Sequence, residues 1–289
     1  MIGPEPFHGS GPPAGRPREH GPRAGDQVTT VSTEPETGTP ARRLLGVELL
    51  IVLGLSLGAS GIGALISFAD SLTQPMALGQ QVATLNGSRA PGRPWIDLAW
   101  QLYYIARGLM PVVLVGYLLV REGTSLRVLG FDLRDKARDL GRGAAVAALI
   151  GGTGLGLYLA AQAAGFNLTV APSGLPEVWW RIPVLICSAW QNAILEEVVV
   201  LAYLLRRLGQ LGWSWPAAVV ASSVLRGSYH LYQGVGGLVG NMVMGLVFCL
   251  LYRRWGRVMP LVAAHALIDT VAFVGYALLA GHVGWLPTA

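Results

Sequence analysis

Gln191-Asn-Ala-Ile-Leu-Glu196-Glu197-Val-Val-Val-Leu-Ala-Tyr-Leu-Leu-Arg206-Arg207 sets two adjacent carboxylates inside an apolar run that begins near Ile182 and is closed by two arginines. A run of this length is long enough to cross a bilayer, so the most costly side chains of the segment lie where hydrocarbon should be. Ionisable groups at that depth pair with one another, line a cavity or take part in chemistry. Neighbours on an α-helix differ by about 100° in direction. Glu196 and Glu197 are therefore expected to serve different partners, one facing a site and the other tying the helix to its surroundings.

Composition supports hydrocarbon as the solvent. Hydrophobic residues make up 52% and charged residues only 13%, with a mean hydropathy of +0.49; a soluble domain carries roughly 25% charged residues. The expectation is an all-α, polytopic transmembrane helix bundle. The net charge of +5 comes from basic residues clustered at the ends of apolar runs, as membrane topology requires, so no nucleic-acid partner is assigned. Cys187 and Cys249 fall inside apolar runs, match no metal or redox spacing, and read as buried small residues.

Residues 1–41 are rich in Pro, Gly, Thr, Glu and Arg and poor in large apolar residues, which predicts a disordered cytoplasmic tail. It is too polar and too long to be a cleaved signal peptide. Residues 42–143 read as two spans, about Leu44–Ala69 and Trp95–Val120, followed by a cytoplasmic loop carrying Arg121, Arg127, Arg134, Lys136, Arg138 and Arg142. Residues 144–280 hold the remaining runs: about Ala144–Gly165, the run with the Glu pair, one from Trp215 past Arg226 and His230, one from Gly236 to Tyr252, and one from about Val258 to Ala280 with His265 and Asp269. Residues 281–289 are a short C-terminal tail. About seven spans with the N-terminus inside put every basic cluster on one face. Gly152 with Gly156, and Gly236 with Gly240, have the small-xxx-small spacing that lets helices approach closely.

Arg226 and His230 are four residues apart, as are His265 and Asp269, so each pair shares one helix face. Polar stripes on helices in hydrocarbon should turn toward one another. Two histidines and a glutamate are the donor types of a hydrolytic zinc site, and the same groups without metal position and deprotonate a water. Counting ~1.5 Å per residue, Glu196 lies about 15 Å from Arg206 and His265 about 12 Å from Arg257. His230 lies about 21 Å from Pro216, at the same level only if its helix starts below the interface or tilts. Arg107, midway along the second run, reads as a counter-ion in the bundle, and Asn241 as an interhelical hydrogen-bonding group.

Glu196-Glu197, Arg226-Gly-Ser-Tyr-His230, Gly245-Leu-Val-Phe-Cys-Leu-Leu-Tyr252 and His265-Ala-Leu-Ile-Asp269, in this order, resemble the CPBP family of intramembrane endopeptidases, which includes the CAAX-prenyl proteases and the bacterial Abi proteins. The likeness covers roughly residues 140–280. It implies a hydrolase, classed as a metalloprotease, in a bacterial plasma membrane, cutting a peptide or membrane-protein substrate near the cytoplasmic half of the bilayer. It implies Glu196 as general base, His230 as the residue holding the water or a metal, and His265 with Asp269 completing the site by metal ligation or oxyanion stabilisation. Glu196, His230 and His265 would be the ligands if the cofactor is Zn2+, and no cofactor is needed if the water is glutamate-activated. Two positions depart from the family pattern: Leu201 stands where it has Arg, and Arg226 where it has Phe. Arg226 is expected to supply from the neighbouring helix the charge missing at Leu201, pairing with a structural Glu197. Alternative functions are a catalytically silent membrane scaffold or immunity protein and a proton-coupled transporter, the latter disfavoured by the lack of an inverted repeat.

Overall fold

The computed structural model describes residues 39–283, so most of the expected N-terminal tail, with His8 and His20, and positions 284–289 lie outside the described residues. Helices dominate: α1 (Thr39–Gly54), α2 (Leu57–Thr73), α3 (Pro94–Arg121), α4 (Lys136–Ala163), α5 (Arg181–Leu195), a π-helical segment (Glu196–Tyr203), α6 (Leu204–Gln210), α7 (Trp215–Ser228), α8 (Val235–Trp255) and α9 (Met259–Leu279). The chain is a multi-pass membrane protein with an all-α bundle. Among the described residues, five helical stretches are long and apolar enough to cross a membrane: α3, α4, the continuous run Arg181–Gln210, α8 and α9.

The expected count of about seven differs from this at two places. The first run is broken: α1 and α2 meet at 51° and qualify only as a bent pair. Ser56 Oγ donates to the Val52 carbonyl at 2.6 Å, a back-bond that bends helices. The run from Trp215 forms a helix of only 14 residues, about 21 Å long, short of the ~30 Å hydrocarbon thickness. Ser214 caps its start, its Oγ accepting from the Ala217 N–H.

Two stretches between the expected spans pair as a parallel two-stranded sheet, β1 (Val82–Gly87) with β2 (Thr169–Gly174), in register Val82 with Thr169 and Gly87 with Gly174. The pairing satisfies backbone groups of both loops at one end of the bundle. Asn86 Nδ2 adds a bond to the Pro172 carbonyl at 2.8 Å. At the opposite end, Arg257 clamps the α3–α4 loop to the α8–α9 turn, with Nη2 at 2.6 Å from Asp139 Oδ2 and 3.1 Å from Asp132 Oδ1. The Arg134 backbone N–H, followed by Arg257, holds the Asp132 carboxyl below the usual range. The hydrogen bonds it donates to Asp139 and then to Asp132 hold the Arg257 guanidinium protonated beyond its ordinary value.

The core is built around the Arg181–Gln210 run. Every residue from Glu196 to Leu205 is buried, packed among Val115 and Leu119 of α3, Phe248 of α8, and Leu261 and Val262 of α9. Close helix approach follows glycines, though not the pair expected on α4. Gly152 and Gly156 face open space, whereas a Cβ on Gly143 would meet Ala263 Cβ at 2.7 Å and the Pro260 carbonyl at 2.9 Å. Gly236 and Gly240 do lie against α4, beside Ala161 and Leu157.

Candidate active site

The backbone changes character at the Glu pair. Residues Glu196–Tyr203 form a π-helix, whose i→i+5 hydrogen bonding gives a wider turn than an α-helix and recurs at functional sites. With less rotation per residue, the two neighbouring carboxylates diverge less than an α-helix would make them. Both reach the same guanidinium: Arg226 Nη2 lies 2.6 Å from Glu197 Oε1 and Nη1 lies 3.6 Å from Glu196 Oε2. The expectation that the pair cannot share a partner is corrected by this local geometry.

Glu197 is fully buried and held from two sides, by Arg226 of α7 and by His265 Nδ1 of α9 at 2.7 Å. Glu196, 7% exposed, accepts the Tyr229 hydroxyl at 2.9 Å and faces His230 Nε2 at 3.8 Å. The other nitrogen of His265, Nε2, lies 3.6 Å from Asp269 Oδ2, one helical turn away. Asn192, one turn before Glu196, places its amide beside the Asp269 carboxyl. Glu196, Glu197, Arg226, His230, His265 and Asp269 thus meet in one cluster, contributed by the π-segment, α7, the turn after α7, and α9.

The short α7 answers the question of depth. It ends at Ser228, and His230 sits in the turn beyond it. The approach to Glu196 fixes His230 at the level of the pair, while α7 starts exposed at the basic end of the bundle, with Arg253 over the Trp215 ring at 5.1 Å. Gly227 permits this crossing, since a Cβ there would meet the Leu238 carbonyl at 2.7 Å. Phe248 of α8 lies under Arg226, its ring centroid 5.4 Å from the guanidinium carbon, and covers the cation with an apolar face.

Three buried polar atoms of the cluster have no hydrogen-bond partner within the protein: Glu197 Oε2, Arg226 Nη1 and His230 Nε2. Buried polar groups are rarely left so, and two of these atoms are nitrogens beside Glu196. The metal set expected from the sequence is not the one assembled. Among the described residues, the donors close enough to share an ion are Glu196, Glu197 and His265, within 4.8 Å of one another, without His230. That set does not suit Zn2+, because a fixed cation, Arg226, stands beside both carboxylates, and His265 Nδ1 is bonded to Glu197 Oε1.

Several groups were not legible as members of this site or of its supports. Tyr229 carries no spacing signal beyond its place next to His230. A second ionic cluster joins α1, the end of α3 and α6: Arg207, fully buried, pairs with the partly exposed Glu48 at 2.7 Å and Glu122 at 2.5 Å, and Tyr203 donates to Glu48. The lone charge of the first run, Glu48, was its only sequence signal. Arg107 is exposed on the outside of α3 rather than turned into the bundle, Asn241 bonds within its own helix to the Gly237 carbonyl, and Cys187 is exposed.

No curated protein and no solved structure matches the chain. A family model does: residues 178–271 match the one described as Type II CAAX prenyl endopeptidase Rce1-like. The matched segment runs from just before α5 to the middle of α9 and contains every member of the cluster above. Residues 178–271 therefore carry an Rce1-like domain, consistent with the CPBP family whose ordered motifs the sequence resembles.

Proposed function

We propose that the protein is an intramembrane endopeptidase of the CAAX-protease type that hydrolyses a peptide bond with a water activated by Glu196. The observation that carries this reading is a buried, hydrogen-bonded Glu196 with two nitrogens beside it, Arg226 Nη1 at 3.6 Å and His230 Nε2 at 3.8 Å, that make no hydrogen bond within the protein. Glu196 takes a proton from the water, whose oxygen attacks the scissile carbonyl carbon. The N–H groups of His230 and Arg226 stabilise the oxyanion that forms, since fixed donors in a dry site lose no reorganisation energy at that moment. The proton passes from Glu196 to the leaving amine as the C–N bond breaks.

Glu197 does not enter the chemistry; it holds Arg226 and His265 in place. Asp269 faces the far side of the His265 ring and fixes its orientation, as a carboxylate does for a catalytic histidine. No step runs through a metal, since Arg226 already places a fixed positive charge beside both carboxylates.

The test is cleavage of a broad peptide library by detergent-purified protein, with folding followed by thermal unfolding. Glu196→Gln and His230→Ala are expected to lose at least 100-fold in rate, the usual scale of general-base and oxyanion contributions, while the fold persists. Chelation should leave wild-type activity unchanged. Wild-type activity that survives in Glu196→Gln would remove the reading, and loss on chelation with recovery on added zinc would replace its water-activation step.

A further inference from the structure

The polar stripe of α5 does not stop at Glu196. Asn192, Gln191 and Ser188 continue it by successive helical steps toward the β1–β2 end. These three line a cavity of about 450 Å³ together with Ser60 of α2, Asn86 and Gly87 of β1, Arg89, and Gln101 of α3. Its size suits a ligand site. Amides, hydroxyls and one guanidinium form its polar wall, with no carboxylate among the lining residues. Arg89 is exposed and lies over the Tyr104 ring at 4.9 Å, at the outer end of the cavity. Asn192, which lines the cavity, stands one helical turn before Glu196, so the cavity adjoins the cluster.

The opposite direction is closed. From Val198 to Leu205 every residue is buried, Val258, Leu261 and Val262 have no exposure, and Arg207 is locked to Glu48 and Glu122. That closed end carries Arg121, Arg127, Arg134, Lys136, Arg138, Arg142, Arg253 and Arg254, which the positive-inside rule assigns to the cytoplasm.

Resting on the endopeptidase reading above, we propose that the cavity is the substrate entrance, and that the peptide reaches Glu196 from the β1–β2 face, opposite the basic clusters. This reverses the expectation of cleavage approached from the cytoplasmic half. Amide and hydroxyl walls fit the backbone of an extended peptide, and Arg89 at the mouth takes an acidic side chain or a terminal carboxylate of that peptide.

Two measurements test it. Gln191→Cys and Asn86→Cys, each in a protein with Cys187→Ala and Cys249→Ala, are treated with a membrane-impermeant sulfonated thiol reagent in sealed vesicles of either orientation, with Arg254→Cys marking the basic face. Both cavity cysteines should react only in vesicles that shield Arg254→Cys. Reaction from the same side as Arg254→Cys would overturn the proposal. Binding is then measured on the Glu196→Gln protein, using a capped heptapeptide with one Asp and its Lys counterpart. The Asp peptide should bind about tenfold tighter, the scale of one charge-assisted contact, and Arg89→Gln should abolish the difference; an unchanged preference would overturn the role of the mouth. Neither readout needs turnover, so a protein that labels and binds as stated yet never cleaves would refute the endopeptidase reading while leaving the entrance standing.

Discussion

Arg226 is where a departure from a family pattern becomes intelligible as chemistry. A buried carboxylate without a partner is strongly disfavoured, and Leu201 leaves the Glu pair without the arginine its own helix would supply. The guanidinium instead comes from α7, at 2.6 Å from Glu197. Replacing Arg226 by Leu strips both carboxylates of their fixed cation and should cost about 3–5 kcal/mol, as breaking one side of a buried ion pair does. Adding Glu197→Gln should restore part of that loss, because the second change removes the stranded charge. Thermal unfolding of the two variants in detergent decides it: a double variant no more stable than Arg226→Leu alone would show that the pair is not the source of the stability. At this scale the four-residue spacing of His265 with Asp269 was readable, since helical periodicity converts spacing into a shared face; Arg226 and His230 meet at the Glu pair although His230 lies in the turn beyond α7 and not on its face. Tyr229 was not readable, because its contact with Glu196 arises from the turn after α7, and no periodicity describes a turn.

Two elements deviate from regular spans, and both serve the cluster. The π-segment brings adjacent carboxylates to one guanidinium, and the truncated α7 sets His230 at their level. Neither was legible, since a π-helix has no compositional signature distinct from an apolar α-helix and the apolar run from Trp215 continues through its turn into α8. Helix approach was readable only as a type of residue, not as a position: α4 carries many glycines, and the one that matters is Gly143, not Gly152 or Gly156. Gly143→Val should force α4 away from α9 at Ala263 and Pro260, two residues before His265. Over-packing of this kind costs about 1–3 kcal/mol, and here it should also lower the cleavage rate by displacing His265. Gly152→Val, facing open space, should change neither. Equal effects of the two substitutions on melting temperature and rate would mean that the α4–α9 contact does not position the site.

The helix bundle has two unlike ends, one built on the β1–β2 sheet and beside the polar cavity, the other packed with buried apolar residues and ionic clamps. The bundle and the one-sided basic clusters were legible because hydrophobic run length and Lys/Arg placement respond to the bilayer itself. The sheet was not, because two polar loops separated by two helices pair through backbone contacts that leave little trace in either loop. The clamp at the closed end makes a prediction about acid. Asp132 is held charged by the Arg134 N–H and Arg257, so its folded pKa lies below that of the unfolded chain, about 4. Such a group contributes stability that is fully present above the unfolded value and is lost as pH falls through the folded one, because the unfolded chain then binds the extra proton. The melting temperature of the wild type in detergent should therefore drop as the pH is lowered below about 4. Arg257→Gln removes the cation that joins Asp132 to Asp139, so it should melt lower at neutral pH and lose less on acidification. An acid-induced drop as large in Arg257→Gln as in the wild type would assign the acid sensitivity to other carboxylates and leave the clamp as a packing contact.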